Sequence, residues 1–171
     1  MSGAIRALPS LPAGTEILLD ANVLTYALNG RSGECITLLE RCAAGEVSGF
    51  TTVDVLSDVC HRLMLAEAAF RGLIARPNAA NLQGKAHVVR QLSEYWGRIV
   101  SAATARVAVL PLDEFRFRRA HPLRVDYGLM TNDSLLLAAA DLFGIAALVT
   151  NDSDFDAVPW ITIYRPTDLK P

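Results

Sequence analysis

Five short strand-like runs, at residues 16–20, 47–51, 107–110, 146–150 and 161–164, alternate with segments whose apolar residues recur every three or four positions. Runs of four or five residues are too short for stable helices. The most apolar, Ile17-Leu18-Leu19, reads as a strand buried on both faces. The segments between carry helix signals. A helix starts directly at Ala21, and Asn29-Gly30 stops it. Ser32 is placed to cap a second helix reaching about Ala44, closed by Gly45. Thr52 is placed to cap a third, which carries Val55, Val59 and Leu63 inward. Arg76-Pro77-Asn78 breaks a helical middle at about 68–104. From Leu82 onward, Ala86, Val89, Leu92, Trp96, Ile99 and Ala103 form one apolar stripe and predict a long amphipathic helix. Two more helices are expected at 113–120 and 132–143, the latter with Leu136, Leu137 and Ala140 on one face. This alternation predicts an α/β fold, one domain over 1–171, with an irregular lead at 1–15 and a mainly parallel sheet covered on both faces. In such sheets ligands sit outside the carboxyl ends of the strands.

Composition narrows the function classes. With 171 residues, 51% hydrophobic, the chain can bury a sizeable core and is no acidic disordered segment. Its 18 acids nearly balance 16 Lys and Arg, and a net charge of −2 argues against a generic basic nucleic-acid coat protein. Lys85 and Lys170 are the only lysines, so most cations are planar Arg forks. Cys35, Cys42 and Cys60 are odd in number and lack metal spacing, so neither a disulfide framework nor a zinc site is expected, and a reducing cytoplasmic setting fits. Cys35 and Cys42 read as small core residues of the second helix. Pro9 and Pro12 interrupt the lead, so no signal peptide is expected. The most apolar stretch, 135–149, contains Asp141 and Gly144 and falls short of the roughly 20 residues a bilayer needs. No membrane association is expected.

The near-neutral total conceals where the acids fall. Asp20 ends the first run, Asp58 lies in the helix after the second, and Asp133 opens a late helix. Asp152 follows the 146–150 run, with Asp154 just beyond. Each has a plain reading by itself: a helix cap, a solvated helix residue, a first-turn acid, turn chemistry. Together they mark strand ends and helix starts, which share one edge of a parallel sheet, so four carboxylates from distant segments can converge there. Converging carboxylates raise one another's pKa, and a divalent cation relieves the repulsion. Hard oxygen donors suit Mg²⁺ or Mn²⁺. Such an ion supports phosphodiester hydrolysis, because it makes water a better nucleophile and neutralises charge developing on phosphate oxygens.

The same residues resemble the PIN-domain family, the nuclease domain that includes VapC-type toxins. Leu18-Leu19-Asp20-Ala21-Asn22-Val23-Leu24 is similar to the family's first-acid motif, and the segment Val55-Leu56-Ser57-Asp58-Val59 to its second-acid helix. Asn132-Asp133-Ser134-Leu135 resembles the third-acid helix, and Thr150-Asn151-Asp152-Ser153-Asp154 the fourth motif. The resemblance spans most of the chain. It implies a three-layer α/β/α sandwich and a metal-dependent endoribonuclease using Mg²⁺ or Mn²⁺. RNA is the implied substrate, a homodimer the implied assembly, and an antitoxin protein a candidate partner. It carries the catalytic and metal-binding roles onto Asp20, Asp58, Asp133 and Asp152, with Asp154 as the competitor of Asp152 for direct ligation. Asn22 and Thr150 become supporting polar groups. The chain departs from the family in having Asp58 where Glu is usual, one methylene shorter. That leaves a catalytically weakened RNA- or protein-binding module as the alternative. The chain is also longer than compact toxins of the family, at the N-terminus and in the helical middle.

One basic cluster contains an aromatic residue: Arg116-Phe117-Arg118-Arg119-Ala120-His121-Pro122-Leu123-Arg124. Arg116, Arg118 and Arg119 are candidate RNA contacts, against the plain reading of a solvated helix face. His61, one helical turn beyond Asp58, is assigned a structural role, and no Ser/His/Asp set has supporting spacing. The 82–103 stripe reads as core, with a dimer or antitoxin surface as the rival. Phosphotransfer folds fit poorly: Asp20-Ala21-Asn22 lacks the Asp-x-Asp of haloacid-type phosphatases, and Lys170 is no receiver-domain lysine.

Overall fold

The structure, a computed structural model, describes residues 3–104 and 107–169, and the side chains of 102–104 fall outside that description. The side chain of Ala103 and the whole of Lys170 therefore lie outside that description. The central element is one six-stranded sheet built from β1 (Ile5–Ala7), β2 (Glu16–Leu19), β3 (Ser48–Thr52), β4 (Ala108–Leu110), β5 (Ala147–Val149) and β6 (Thr162–Arg165). Every pairing is parallel and the order is β1-β6-β5-β2-β3-β4. The helices are α1 (Ala21–Leu28), α2 (Gly33–Ala43), α3 (Val53–Phe70), α4 (Ala79–Leu82), α5 (Ala86–Val89), α6 (Glu94–Arg98), α7 (Glu114–Tyr127) and α8 (Thr131–Phe143). From β2 the chain steps outward through β3 to β4, then returns across the sheet to β5 and β6. α1 packs with α2 and α3, and α7 with α8; by the right-handed rule, crossovers running in opposite directions place these two groups on opposite faces, the expected three layers. None of the described helices is long and apolar enough to cross a membrane.

The early elements follow their local signals. Asp20 caps α1, Ser32 accepts from the Cys35 N–H at 3.0 Å to cap α2, and Thr52 caps α3. Val55, Val59 and Leu63 point into the core, as do Cys35 and Cys42. Gly49 in β3 is required by close approach: a Cβ there would meet Cys42 Sγ at 2.7 Å and Val107 Cγ1 at 2.9 Å.

Four expectations need correction. The lead is not wholly irregular, because Ile5–Ala7 forms the edge strand β1 beside β6. It went unseen because its three residues are all exposed and carry no burial pattern. The long helix from Leu82 does not form. Gly84 adopts a positive φ of 75°, and the chain breaks again before Ser93, leaving α4, α5, α6 and a π-helical turn at Ile99–Thr104. Tertiary contacts explain the second break: buried Glu67 of α3 accepts the N–H groups of Ser93 (3.0 Å) and Tyr95 (2.9 Å), docking the start of α6 onto its carboxylate. Leu82, Val88 and Leu92 join Leu65, Ala68 and Ile74 in a satellite core, while Val89 and Trp96 of the stripe are exposed. The third correction is α7, which continues through Pro122 to Tyr127 and stops at Gly128. Ala120 and Leu123 are buried along it, and packing against α8 outweighs the hydrogen bond that proline removes. Finally, α8 is not one-faced: Ser134 to Ala140 are buried without interruption.

Candidate active site

The strand order reverses between β2 and β5, which are neighbours although the chain leaves β2 toward β3. A crevice opens at such a switch point, outside the carboxyl ends of the strands. Here it is a pocket of about 630 Å³ whose lining includes Asp20, Asp58, Asp133 and Asp152. Thus all four acids singled out in the sequence face one cavity. Asp154 does not line it, and its side chain is exposed beyond Asp152.

Each acid is positioned differently. Asp20 follows β2 as the α1 cap, where its carboxylate accepts from the Ala21 N–H at 2.6 Å, Asn22 Nδ2 at 2.6 Å and Thr150 Oγ1 at 2.7 Å. Fully buried Thr150, just past β5, is the hub across the switch point. Besides donating to Asp20, its hydroxyl accepts from Asn22 Nδ2 at 3.2 Å and from the Asp152 N–H at 3.0 Å. The Asn151 N–H in turn donates to Asn22 Oδ1 at 3.2 Å. Asn22 and Thr150 therefore bind the first acid to the fourth motif. The Asp154 N–H donates to Asp152 Oδ1 at 2.9 Å, so Asp154 orients its neighbour through its backbone. Asp133 lies in the first turn of α8, and Asp58 in the second turn of α3, ion-paired with Arg62 at 2.7 Å.

The electrostatics record crowding. Burial raises the Asp20 carboxyl, against the lowering effect of its Thr150 and Ala21 hydrogen bonds, and Asp152 raises it further. Asp133 is pushed up to about 6, first by burial and then by the charges of Asp20, Asp152, Asp154 and Asp58. This excess of negative charge on oxygen donors suits a hard divalent cation. Among the described residues, no three acid, histidine or cysteine side chains already stand at ligating separation. Asp20 is turned into its hydrogen bonds and Asp58 toward Arg62, so these carboxylates would reach a shared ion through water or by reorienting. In donor chemistry, and in lining one pocket, the set fits such an ion.

The basic cluster is placed differently from expectation. Arg116 is buried, with 1% of its side chain exposed, and pairs with Asp54 of α3, so it is not a surface RNA contact. Core packing of α7 claims its stem. Arg118 is exposed and paired with Glu114 at 2.6 Å, and Arg119 is paired with Asp141 at 2.6 Å; neither lines the pocket. His61 is exposed on α3 and outside the lining. Five lining residues were given no part in the site by the sequence: Tyr26, Asp54, Arg62, Met130 and Thr131. Only Arg62 had a local signal, its spacing of four from Asp58 on an expected helix.

A sequence profile described as the PIN domain matches residues 17–161. Solved structures share the fold. VapBC2 of Rickettsia felis, bound to a DNA fragment from its promoter, aligns with TM-score 0.60 at 16% identity, covering 88% of this chain and 98% of that one. VapC20 of Mycobacterium tuberculosis, described as a sarcin-ricin-loop-cleaving toxin, aligns with TM-score 0.54 at 14% identity, covering 85% and 96%. A toxin–antitoxin complex from Klebsiella pneumoniae gives 0.53 at 20% identity, covering 85% and 94%. No curated protein sequence matches the chain.

Proposed function

Because this chain belongs to the PIN-domain family, we propose that it is a metal-dependent endoribonuclease, acting in the cytoplasm as the toxin of a toxin–antitoxin pair. The observation that carries this reading is the gathering of Asp20, Asp58, Asp133 and Asp152 from four distant segments around one cavity at the switch point. The fold shared with toxin–antitoxin assemblies supports an antitoxin partner, and a homodimer is the proposed assembly.

Asp20, Asp133 and Asp152 would hold Mg²⁺ or Mn²⁺, with Asp58 completing the set and Asp154 acting through Asp152. The ion supplies Lewis-acid chemistry, activating water and offsetting the negative charge that builds on phosphate oxygens. The protein does the rest. Thr150 and Asn22 fix the Asp20 carboxylate so that it need not reorganise during the reaction. Burial and the neighbouring acids push the Asp133 carboxyl up to about 6 in the metal-free pocket, a repulsion that a bound cation would relieve. The short side chain of Asp58 and its ion pair with Arg62 favour a second reading, a module that binds RNA and cuts it slowly.

Cleavage of RNA under Mg²⁺ titration tests the assignment. Asp20→Asn and Asp133→Asn are each expected to lower the rate at least about 100-fold. Undiminished cleavage by either variant, or with chelator present, would overturn the nuclease reading. RNA binding without cleavage by the wild type would favour the second one.

A further inference from the structure

Arg62 is the one cation among the described residues that line the acidic pocket. It reaches Asp58 Oδ2 at 2.7 Å from one turn further along α3, and its charge also acts on Asp20. Its side chain is 49% exposed and that of Asp58 28%, so the pair stands at the pocket wall with room to separate. The bond occupies a carboxylate that a divalent cation would need, and the guanidinium offsets charge that the cation would otherwise offset. A permanently charged group so placed competes with an incoming ion.

We propose that Arg62 is a built-in counter-cation of the pocket, a positioning residue that holds Asp58 while the pocket is metal-free and yields it when a divalent ion enters. The inference rests on the metal-site reading above and deepens it. Its consequence is a raised threshold for metal: the chain binds Mn²⁺ less tightly than its acids alone would allow. Once released, the guanidinium stays at the pocket wall on a rigid helix, where a phosphate oxygen can take the place of Asp58.

The test is Mn²⁺ binding without RNA, measured by calorimetry and by Mn²⁺ electron paramagnetic resonance. The proteins are the full-length wild type, Arg62→Gln, Arg62→Lys, Asp58→Asn and the Asp58→Asn/Arg62→Gln double variant. Arg62→Gln is expected to bind Mn²⁺ about fivefold or more tightly than wild type, with Arg62→Lys close to wild type. In the Asp58→Asn background the Arg62→Gln gain is expected to shrink to a small remainder, because the competition runs mainly through that carboxylate. Unchanged or weaker binding by Arg62→Gln overturns the proposal. So does an equal gain with and without Asp58, which would reduce Arg62 to a general field effect. Circular dichroism on each variant separates these outcomes from misfolding. If neither wild type nor Arg62→Gln binds Mn²⁺, the metal-site reading itself fails, a result distinct from binding that Arg62 does not modulate.

Discussion

At the scale of single residues, Asp133 couples the site to stability. Its ordinary pKa is 3.8, and the folded chain raises it to about 6. A carboxyl raised by folding is easier to ionise in the unfolded chain, so the metal-free protein loses stability as pH climbs from about 4 through about 6 and does not regain it above. Asp133→Asn removes that penalty. In chelator, the variant is expected to melt higher than wild type at pH 7.5 but not at pH 4. The gain is about 1 kcal/mol once solvent screening of a half-exposed group is allowed for. Equal melting temperatures at pH 7.5 would show that burial and the neighbouring acids together do not strain Asp133. Thr150 shows what a residue-level reading captures: its place beside the fourth motif marked it as a supporting polar group. Its role as the hydrogen-bond hub to Asp20, 130 positions away, comes from strand adjacency.

At the scale of elements, the helical middle departs furthest from its sequence pattern. The apolar spacing from Leu82 to Ile99 suits one helix, yet the chain folds as three short ones and a π-helical turn. Glu67 holds this arrangement together. Burial works against its ionised form, but the N–H groups of Ser93, Tyr95 and Glu94 and the Arg71 side chain outweigh burial and hold its carboxyl below the usual range. Arg71 also donates to the Gln91 carbonyl at 2.5 Å. The stability Glu67 contributes is therefore present above the unfolded carboxyl pKa and fades as pH falls through the depressed folded value. Glu67→Gln is expected to cost about 1 to 3 kcal/mol at pH 7, and the cost should shrink toward pH 3. Denaturant unfolding across that range checks it. The capped elements α1, α2 and α3 were legible because their signals are local: an oxygen at the cap and an apolar repeat behind it. The middle was not, since a carboxylate on α3 some 26 residues upstream sets the break before Ser93.

At the scale of the whole molecule, the buried pair of Asp54 and Arg116 ties the start of α3 to α7, elements assigned to opposite faces of the sheet. Asp54 Oδ2 and two Arg116 nitrogens are buried without hydrogen-bond partners, so the pair is incompletely satisfied already. Arg116→Met leaves the Asp54 carboxylate uncompensated and is expected to cost about 3 to 5 kcal/mol. Asp54→Leu/Arg116→Met should recover much of that loss in chemical denaturation, and a double variant no more stable than the single one would refute the account. The sequence by itself determined the strand–helix alternation, the caps, and the four acids at strand ends and helix starts. These are features of local spacing, and a parallel sheet sends such positions to one edge. Tertiary structure alone decided the strand order that puts the switch point between β2 and β5, and the addition of β1. It also decided that Arg116 is interior and that Arg62 stands among the acids. Those outcomes depend on which distant segments compete for the same buried volume and the same charge, and local spacing does not encode that competition.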